Sequence, residues 1–383
     1  MFTKSYRLFS VFGFRIGIDL SWFFLAALIV WSLGSGYFPE VLPGLDPAAY
    51  YLIAAFAAVG MFASIVFHEL AHSLVARYYQ IKIAGITLFI FGGVAELEDE
   101  PPTAKSEFLV AIAGPISSYI LAGALYVAGG ILLPASTWPE LYALLGYLML
   151  INLVLATFNL IPAFPLDGGR MLRAALWWIM GSLRRATRIA AMLGATLGIG
   201  LMVFGAYNAY QGASIGGMWQ VLIGFFIFNA AGAAQRQMEV LETLRGVSVR
   251  QLMKSPPGGI PGDVSVDQIT GHPELTGSKS YLPVTDNGRV IGLVQPSALE
   301  KIPAEQRGRT PLREVVSPLK QAEMLKPDKS AIGTLHQLRR ARGHQAFVLG
   351  DDETVGWIEA RDIFDYIDRH NASQRTGKEQ PTG

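Results

Sequence analysis

The sequence predicts a polytopic α-helical membrane protein of about six transmembrane helices with a small β-hairpin, joined to a soluble α/β domain built as a tandem pair. Three observations carry that expectation. The chain of 383 residues is 51% hydrophobic and only 16% charged, which fits several spans with a soluble part attached. Apolar stretches of span length recur up to residue 234, and the composition then turns polar. Inside the second stretch lies Phe67-His68-Glu69-Leu70-Ala71-His72, an H-E-x-x-H pattern set in apolar surroundings.

Charge and cysteine narrow the function classes. The net charge is +1, so no broad basic field points to nucleic acid. The absence of cysteine excludes disulfides, a thiol nucleophile and thiolate metal ligands. Basic residues Lys4, Arg7 and Arg15 precede the first apolar run, which has no clear small-residue cleavage site. It is therefore expected to stay in place as a span.

In chain order, residues 1–17 alternate loosely and suit a short strand or an interfacial segment. Span one, about Leu20 to Leu33, is short for a bilayer. Span two, about Tyr50 to Tyr79, carries the histidine pattern. Between Tyr50 and Val66 its only polar side chains are Tyr50, Tyr51 and Ser64. Residues Ile81–Leu97 read as a hairpin around Phe91-Gly92-Gly93. Span three, about Lys105 to Leu133, contains Gly114-Pro115, a kink signal. Span four, about Leu141 to Leu160, has Asn152 and Asn159 on one face, pointing into the bundle or a cavity. A Pro- and Gly-pinned turn from Ile161 to Arg170 follows. Met171–Met180 suits a short interfacial helix; spans five and six run about Ile189–Tyr210 and Met218–Ala234.

Loop charges orient these spans. Segments 34–49, 134–140 and 211–217 contain no Lys or Arg, whereas the alternate segments hold Arg77, Lys82, Arg170, Arg173, Arg184, Arg185, Arg188, Arg236 and Arg245. The positive-inside rule places both termini and the 161–188 loop in the cytoplasm. His68 then lies roughly 13 Å from the cytoplasmic boundary, inside the hydrocarbon.

The soluble part divides into two similar halves. Val249-Arg250-Gln251-Leu252-Met253 resembles Leu312-Arg313-Glu314-Val315-Val316, and the Leu282–Val294 stretch resembles Ala346–Ile358. Each half reads helix, hairpin, helix, with Asp286-Asn287-Gly288 as the first hairpin turn. The expected divisions are 1–240 for the membrane domain, 246–308 and 309–372 for the repeats, and a disordered polar tail over 373–383.

On a helix, His68 and His72 are one turn apart on one face and can grip one Zn²⁺, and the carboxylate of Glu69 can handle protons for a water there. A catalytic zinc typically takes three protein ligands. The other histidines, at 272, 336, 344 and 370, lie in the soluble part, so the third ligand must be Asp or Glu. Glu40, Asp46 and Glu140 fall in outside loops, Asp19 on the first span, and Glu96, Glu98, Asp99, Glu100 and Glu107 around the 81–107 segment. Asp167, on its pinned turn on the cytoplasmic side, is the best candidate; Glu96 is the runner-up. Asn159 suits either a substrate carbonyl or oxyanion, or a plain helix–helix hydrogen bond.

These motifs resemble the site-2 proteases, intramembrane zinc metalloproteases that cut transmembrane segments of other proteins. The resemblance rests on the histidine motif in a span and on Asn159-Leu160-Ile161-Pro162 leading to Leu166-Asp167-Gly168. It rests also on Phe91-Gly92-Gly93 with Glu100-Pro101 and Ala113-Gly114-Pro115. It implies one zinc ion on His68, His72 and Asp167, Glu69 as acid/base, and Asn159 as an active-site amide. It also implies a hairpin at Gly92 and Gly93 that pairs with an unwound substrate. The implied partners are the lipid bilayer and a membrane-spanning protein such as a membrane-bound transcription regulator or anti-sigma factor. The implied setting is a prokaryotic cytoplasmic membrane.

The soluble half looks like a tandem pair of CBS (cystathionine β-synthase) domains, which often bind adenine nucleotides and pair as homodimers. That family's motif sets Ser or Thr three residues after a glycine and Asp three beyond. After Gly292 those positions are Gln295 and Ala298; after Gly356 they are Glu359 and Asp362. Only Asp362 is left to hold a ribose, and a docking or dimerising module is the alternative. For the membrane half the rival class is a metal transporter or sensor. That class would spread ionisable groups through the membrane depth, whereas this chain concentrates them on one side.

Overall fold

The structure, a computed structural model, describes residues 5–81, 83–89, 92–97, 101–132, 137–255, 258–269, 282–287, 289–338, 341, 344–350 and 354–376. The chain divides into two compact units, Met1–Met238 and Glu239–Gly383.

The first unit opens with a hairpin, β1 (Ser5–Val11) and β2 (Phe14–Asp19), followed by helix α1 (Leu20–Ser32). Asp19 caps α1 by accepting from Ser21 N at 3.0 Å, which is its structural use. The first span is longer than the sequence suggests: a π-helical stretch, Leu33–Tyr37, carries α1 into α2 (Phe38–Val41), and together they make a 22-residue span. Gly34 and Gly36 do not end the helix; Gly34 lies under the Tyr51 ring, where a Cβ would clash. Helix α3 (Pro47–Tyr78) is capped by Asp46, with Pro47 in its first turn, where proline costs nothing.

Strands β3 (Ile83–Phe89) and β4 (Gly92–Leu97) form the expected hairpin. It is part of a larger sheet, ordered β1-β2-β3-β4, in which β2 and β3 run parallel. The N-terminal segment is thus two strands rather than one. Its turn, Phe12-Gly13, has φ of +48° and +87°, which suits a two-residue hairpin, but Phe-Gly is a weak signal for one.

Helix α4 (Ala104–Tyr126), extended by a π stretch to Leu132, packs against α3, α5 (Pro139–Asn159) and α6 (Asp167–Met180). It begins at a Thr103–Ser106 capping box and keeps Pro115 inside. Helix α6 starts at Asp167, four residues earlier than the apolar pattern alone indicates, and ends at Gly181 with φ +64°, a left-handed stop. Helices α7 (Leu183–Tyr210) and α8 (Ser214–Thr243) complete the unit. They cross closely: a Cβ at Gly198 or Gly205 would come within 2.7 Å of α8 backbone oxygens. Helix α8 runs past Ala234 because the polar residues that follow are good helix formers. Among the described residues, six helices are long and apolar enough to cross a membrane.

The second unit contains α9 (Val249–Leu252), β5 (Ile260–Pro261), α10 (Val266–Ile269), β6 (Leu282–Asp286), β7 (Arg289–Val294), α11 (Pro296–Leu299) and α12 (Ala304–Arg307). These are followed by α13 (Leu312–Val315), β8 (Ser317–Pro318), β9 (Met324–Leu325), α14 (Ala331–Leu338), β10 (Gln345–Leu349), β11 (Thr354–Glu359) and α15 (Ala360–Thr376). The two halves exchange their opening segments. Lys254 pairs with Trp357 of β11, while Ser317 pairs with Leu293 of β7. Val249 and Leu252 lie in the core of the second half; Leu312 lies in the core of the first. The halves 246–308 and 309–372 therefore share their cores. Two glycines permit the crossings: a Cβ would stand 2.5 Å from Ser317 O at Gly292 and 2.8 Å from Lys254 O at Gly356. Helix α15 continues to Thr376, so residues 373–376 are helical where the sequence suggests a disordered tail; residues 377–383 lie outside the described residues.

Candidate active site

Helix α3 presents Ser64, His68 and His72 on one buried face, each one turn from the next. The rings of His68 and His72 stand edge to face, centroids 4.8 Å apart. Opposite them is Asp167, first residue of α6. Its Oδ2 lies 3.1 Å from His68 Nε2 and 3.2 Å from His72 Nε2. All three residues are buried and offer ligand atoms within 4.8 Å of one another.

The turn before α6 explains why the carboxylate arrives there. Leu166 N donates to Ala163 O at 3.0 Å, and Phe164 N to Ala190 O of α7 at 3.3 Å. The backbone folds so tightly that a Cβ at Gly168 would strike Leu160 O and one at Gly169 would strike the Ala163 carbonyl. Helix α6 begins after Leu166, and Asp167 in its first turn directs its carboxylate to His68 and His72 of α3.

Helix α4 orients both imidazoles. His72 Nδ1 is 2.6 Å from Val110 O, and His68 Nδ1 is 2.9 Å from Ser118 Oγ. A carbonyl only accepts, so His72 Nδ1 carries a proton, which leaves Nε2 as the ring atom available to a metal on the Asp167 side. At 3.1 and 3.2 Å the two Nε2 atoms and the Asp167 carboxylate converge on one point, which a shared proton or a bound cation would occupy. The space for one is present: a Cβ built at Gly114 would stand 2.5 Å from His68 Nε2 and closer still to His72 Nε2. That is a cradle which a single methyl group would fill. Two imidazole nitrogens and one carboxylate oxygen are the donor set of a three-ligand zinc site, so these residues fit the ion.

Glu69 is half-buried on α3 between the two histidines. Gly93 of β4 faces it: a Cβ there would stand 2.9 Å from Glu69 Cγ and 3.0 Å from Ile65 Cγ2. The structure thus brings Gly93 to Glu69, while Gly92 opens the same strand. Asn159 ends α5, and its amide donates to Leu155 O at 3.0 Å within its own helix, not to the cluster. Asn152 is fully buried and donates to Ser64 Oγ at 2.9 Å. Glu107 is paired with Arg173 of α6. Glu96 lies on β4, with its side chain outside the described residues.

Sequence reasoning missed the supporting face of α4. Glu107, Val110, Gly114 and Ser118 recur at helical spacing on one side of it, all buried. A polar stripe on a span was the available signal, although Val110, which acts through its carbonyl, leaves no trace in side-chain chemistry.

In the second unit, Asp362 is buried, accepts from Glu359 N at 2.9 Å and is paired with the Lys254 ammonium. Asp362 and Lys254 line a pocket of about 560 Å³ together with Asp365, Tyr366, Asp368 and Arg369.

Residues 56–135 and 131–203 match the family model described as Peptidase family M50. Rip3 of Mycobacterium tuberculosis, named as a zinc metalloprotease, is 32% identical over 94% of this chain and 92% of that protein. The solved site-2 protease from Methanocaldococcus jannaschii is 31% identical, covering 61% of this chain and 95% of that one, with a TM-score of 0.45. A solved CBS domain of a bacterial CNNM/CorC family Mg²⁺ transporter, in complex with ATP, is 18% identical and covers 35% of this chain and 97% of that one, with a TM-score of 0.29. With the Rip3 likeness running nearly end to end, this chain belongs to peptidase family M50, the site-2 protease family of zinc metalloproteases, and is a multi-pass membrane metallopeptidase.

Proposed function

We propose that this protein hydrolyses a peptide bond in the transmembrane segment of a membrane-protein substrate, at a single Zn²⁺ held by His68, His72 and Asp167. The observation that carries it is the convergence of two oriented imidazole nitrogens and one carboxylate oxygen beside the space left by Gly114. Zinc in such a donor set supplies Lewis acidity toward a carbonyl and a water molecule. The chain's own residues do the rest. Ser118 and Val110 hold the two histidine rings in orientation. Glu69, one residue from His68 and three from His72, takes up a proton from water and returns it to the leaving amine. Asn159, at the end of α5, offers an amide to the substrate carbonyl once released from its own helix. Strand β4 is an edge of its sheet and carries Gly93 next to Glu69, so an unwound substrate adding to that edge would lie beside the acid/base.

The loop charges put both termini and the soluble pair in the cytoplasm. The paired second unit is proposed to modulate cleavage, with adenine nucleotide at the Asp362 pocket or through homodimerisation. Lys254 and Arg369 are the cations of that pocket beside the carboxylates of Asp362, Asp365 and Asp368, and displacing Lys254 from Asp362 would free that carboxylate for a ribose.

The test is cleavage of single-span candidate substrates by purified protein in liposomes, with and without a zinc chelator. Chelator-insensitive cleavage would overturn the zinc assignment, and absence of cleavage on every membrane substrate would overturn the substrate class. Deletion of 246–383 is expected to leave zinc bound and change the cleavage rate. An unchanged rate removes the modulatory role.

A further inference from the structure

We propose that Glu107 and Arg173 are positioning residues that set Asp167 against the two histidines. This role presupposes the metal-site assignment above. Glu107 on α4 is 0% exposed and Arg173 on α6 is 7% exposed. Both Nε and Nη2 of Arg173 reach Oε1 of Glu107. The guanidinium carbon also lies 5.2 Å from the ring centroid of Phe164, in the turn that leads into Asp167. One arginine thus ties both α6 and its lead-in turn to α4.

Its anchor point is the informative part. Glu107 shares a face of α4 with Val110, Gly114 and Ser118. Val110 O and Ser118 Oγ fix the two imidazoles, and Gly114 leaves the space beside them. All three candidate ligands are therefore referenced to one helix face: the histidines by hydrogen bonds, and Asp167 through the arginine.

Energetics favour position over stability as the reason for the pair. A buried ion pair adds little to stability compared with well-packed apolar residues. What it does supply is direction, because the planar guanidinium accepts a carboxylate in few geometries and a lysine ammonium does not share that constraint. An apolar pair would fill the same volume without fixing the register of α6.

The experiment is Co²⁺ titration of the purified full-length protein, read by visible absorption and metal content, for wild type, Glu107→Leu/Arg173→Met and Arg173→Lys. The double variant removes both charges of the pair together, and a single substitution would leave the other member buried without it. It is expected to fold, with Co²⁺ affinity lowered about 10–100-fold and an absorption spectrum changed in shape. Arg173→Lys keeps the charge and covers the case in which the double variant does not fold; it is expected to show the same direction. Wild-type affinity and spectrum in either folded variant would overturn the positioning role. Asp167→Ala separates the two ideas. If it leaves Co²⁺ binding unchanged, the metal-site assignment fails and this inference with it; if it abolishes binding, only the positioning role is at stake in the other variants.

Discussion

Substituting Gly114 by alanine tests the centre with a single methyl group. The added Cβ would stand 2.5 Å from His68 Nε2 and closer to His72 Nε2, against about 3.4 Å for ordinary contact between such atoms. Relief requires the rings to retreat by roughly 1 Å, whereas metal sites hold their distances to about 0.2 Å. The rings are not free to retreat. Val110 O holds one at 2.6 Å and Ser118 Oγ the other at 2.9 Å. Losing one such outer partner typically costs about 10–100-fold in metal affinity. Losing both costs about 10²–10⁴-fold, or about 3–5.5 kcal/mol. Alanine is otherwise a better helix former than glycine by about 1 kcal/mol, so α4 itself gains. The assay is zinc content after dialysis, with Co²⁺ affinity and thermal unfolding measured in parallel. Gly123→Ala on the same helix is the control, since a Cβ there meets nothing within 4 Å. Stoichiometric zinc held with wild-type affinity in Gly114→Ala would refute the placement of the metal.

The other expectations separate metal binding from proton transfer. Glu69→Gln is expected to retain zinc and lose hydrolysis, because an amide cannot take a proton from water; normal activity with normal zinc would sink the role. Asp167→Ala is expected to lose zinc, since two imidazoles under-coordinate it. Unchanged zinc there, with loss in Glu96→Ala, would transfer the third ligand to Glu96. Gly93→Ala pushes a Cβ to 2.9 Å from Glu69 Cγ and is expected to lower kcat with zinc retained; unchanged kinetics would show that Glu69 yields freely. In the second unit, the hydrogen bond from Lys254 to Asp362 raises the lysine above its ordinary value of 10.5. A raised folded value means that the pair's contribution is complete below 10.5 and is lost as pH climbs through that folded value. With Lys254 52% exposed, the contribution is at most about 1 kcal/mol. Thermal unfolding of Lys254→Met should therefore show a shallower alkaline decline than wild type; parallel curves would contradict the pairing.

The membrane architecture was legible in the chain because bilayer insertion depends on local composition over some twenty residues, which a sequence displays directly. The H-E-x-x-H pair was legible because helical period alone sets two histidines on one face. The repeat of the soluble half was visible for a similar reason, since Gly292 and Gly356 recur in matching contexts. Sequence order could not show that the halves trade their opening segments. That exchange depends on which strand edge Lys254 and Ser317 meet across long separations. The N-terminal strands were equally non-local, because β2 takes β3 as a parallel neighbour, and parallel pairing has no turn signal. At the site, sequence alone left Asp167 and Glu96 in competition and scattered Glu107 among the acidic candidates. Tertiary structure brought Asp167 to the histidines, gave Glu107 to Arg173 and turned the Val110 carbonyl to His72. Helix packing decides these partners, and distance along the chain carries almost no information about it.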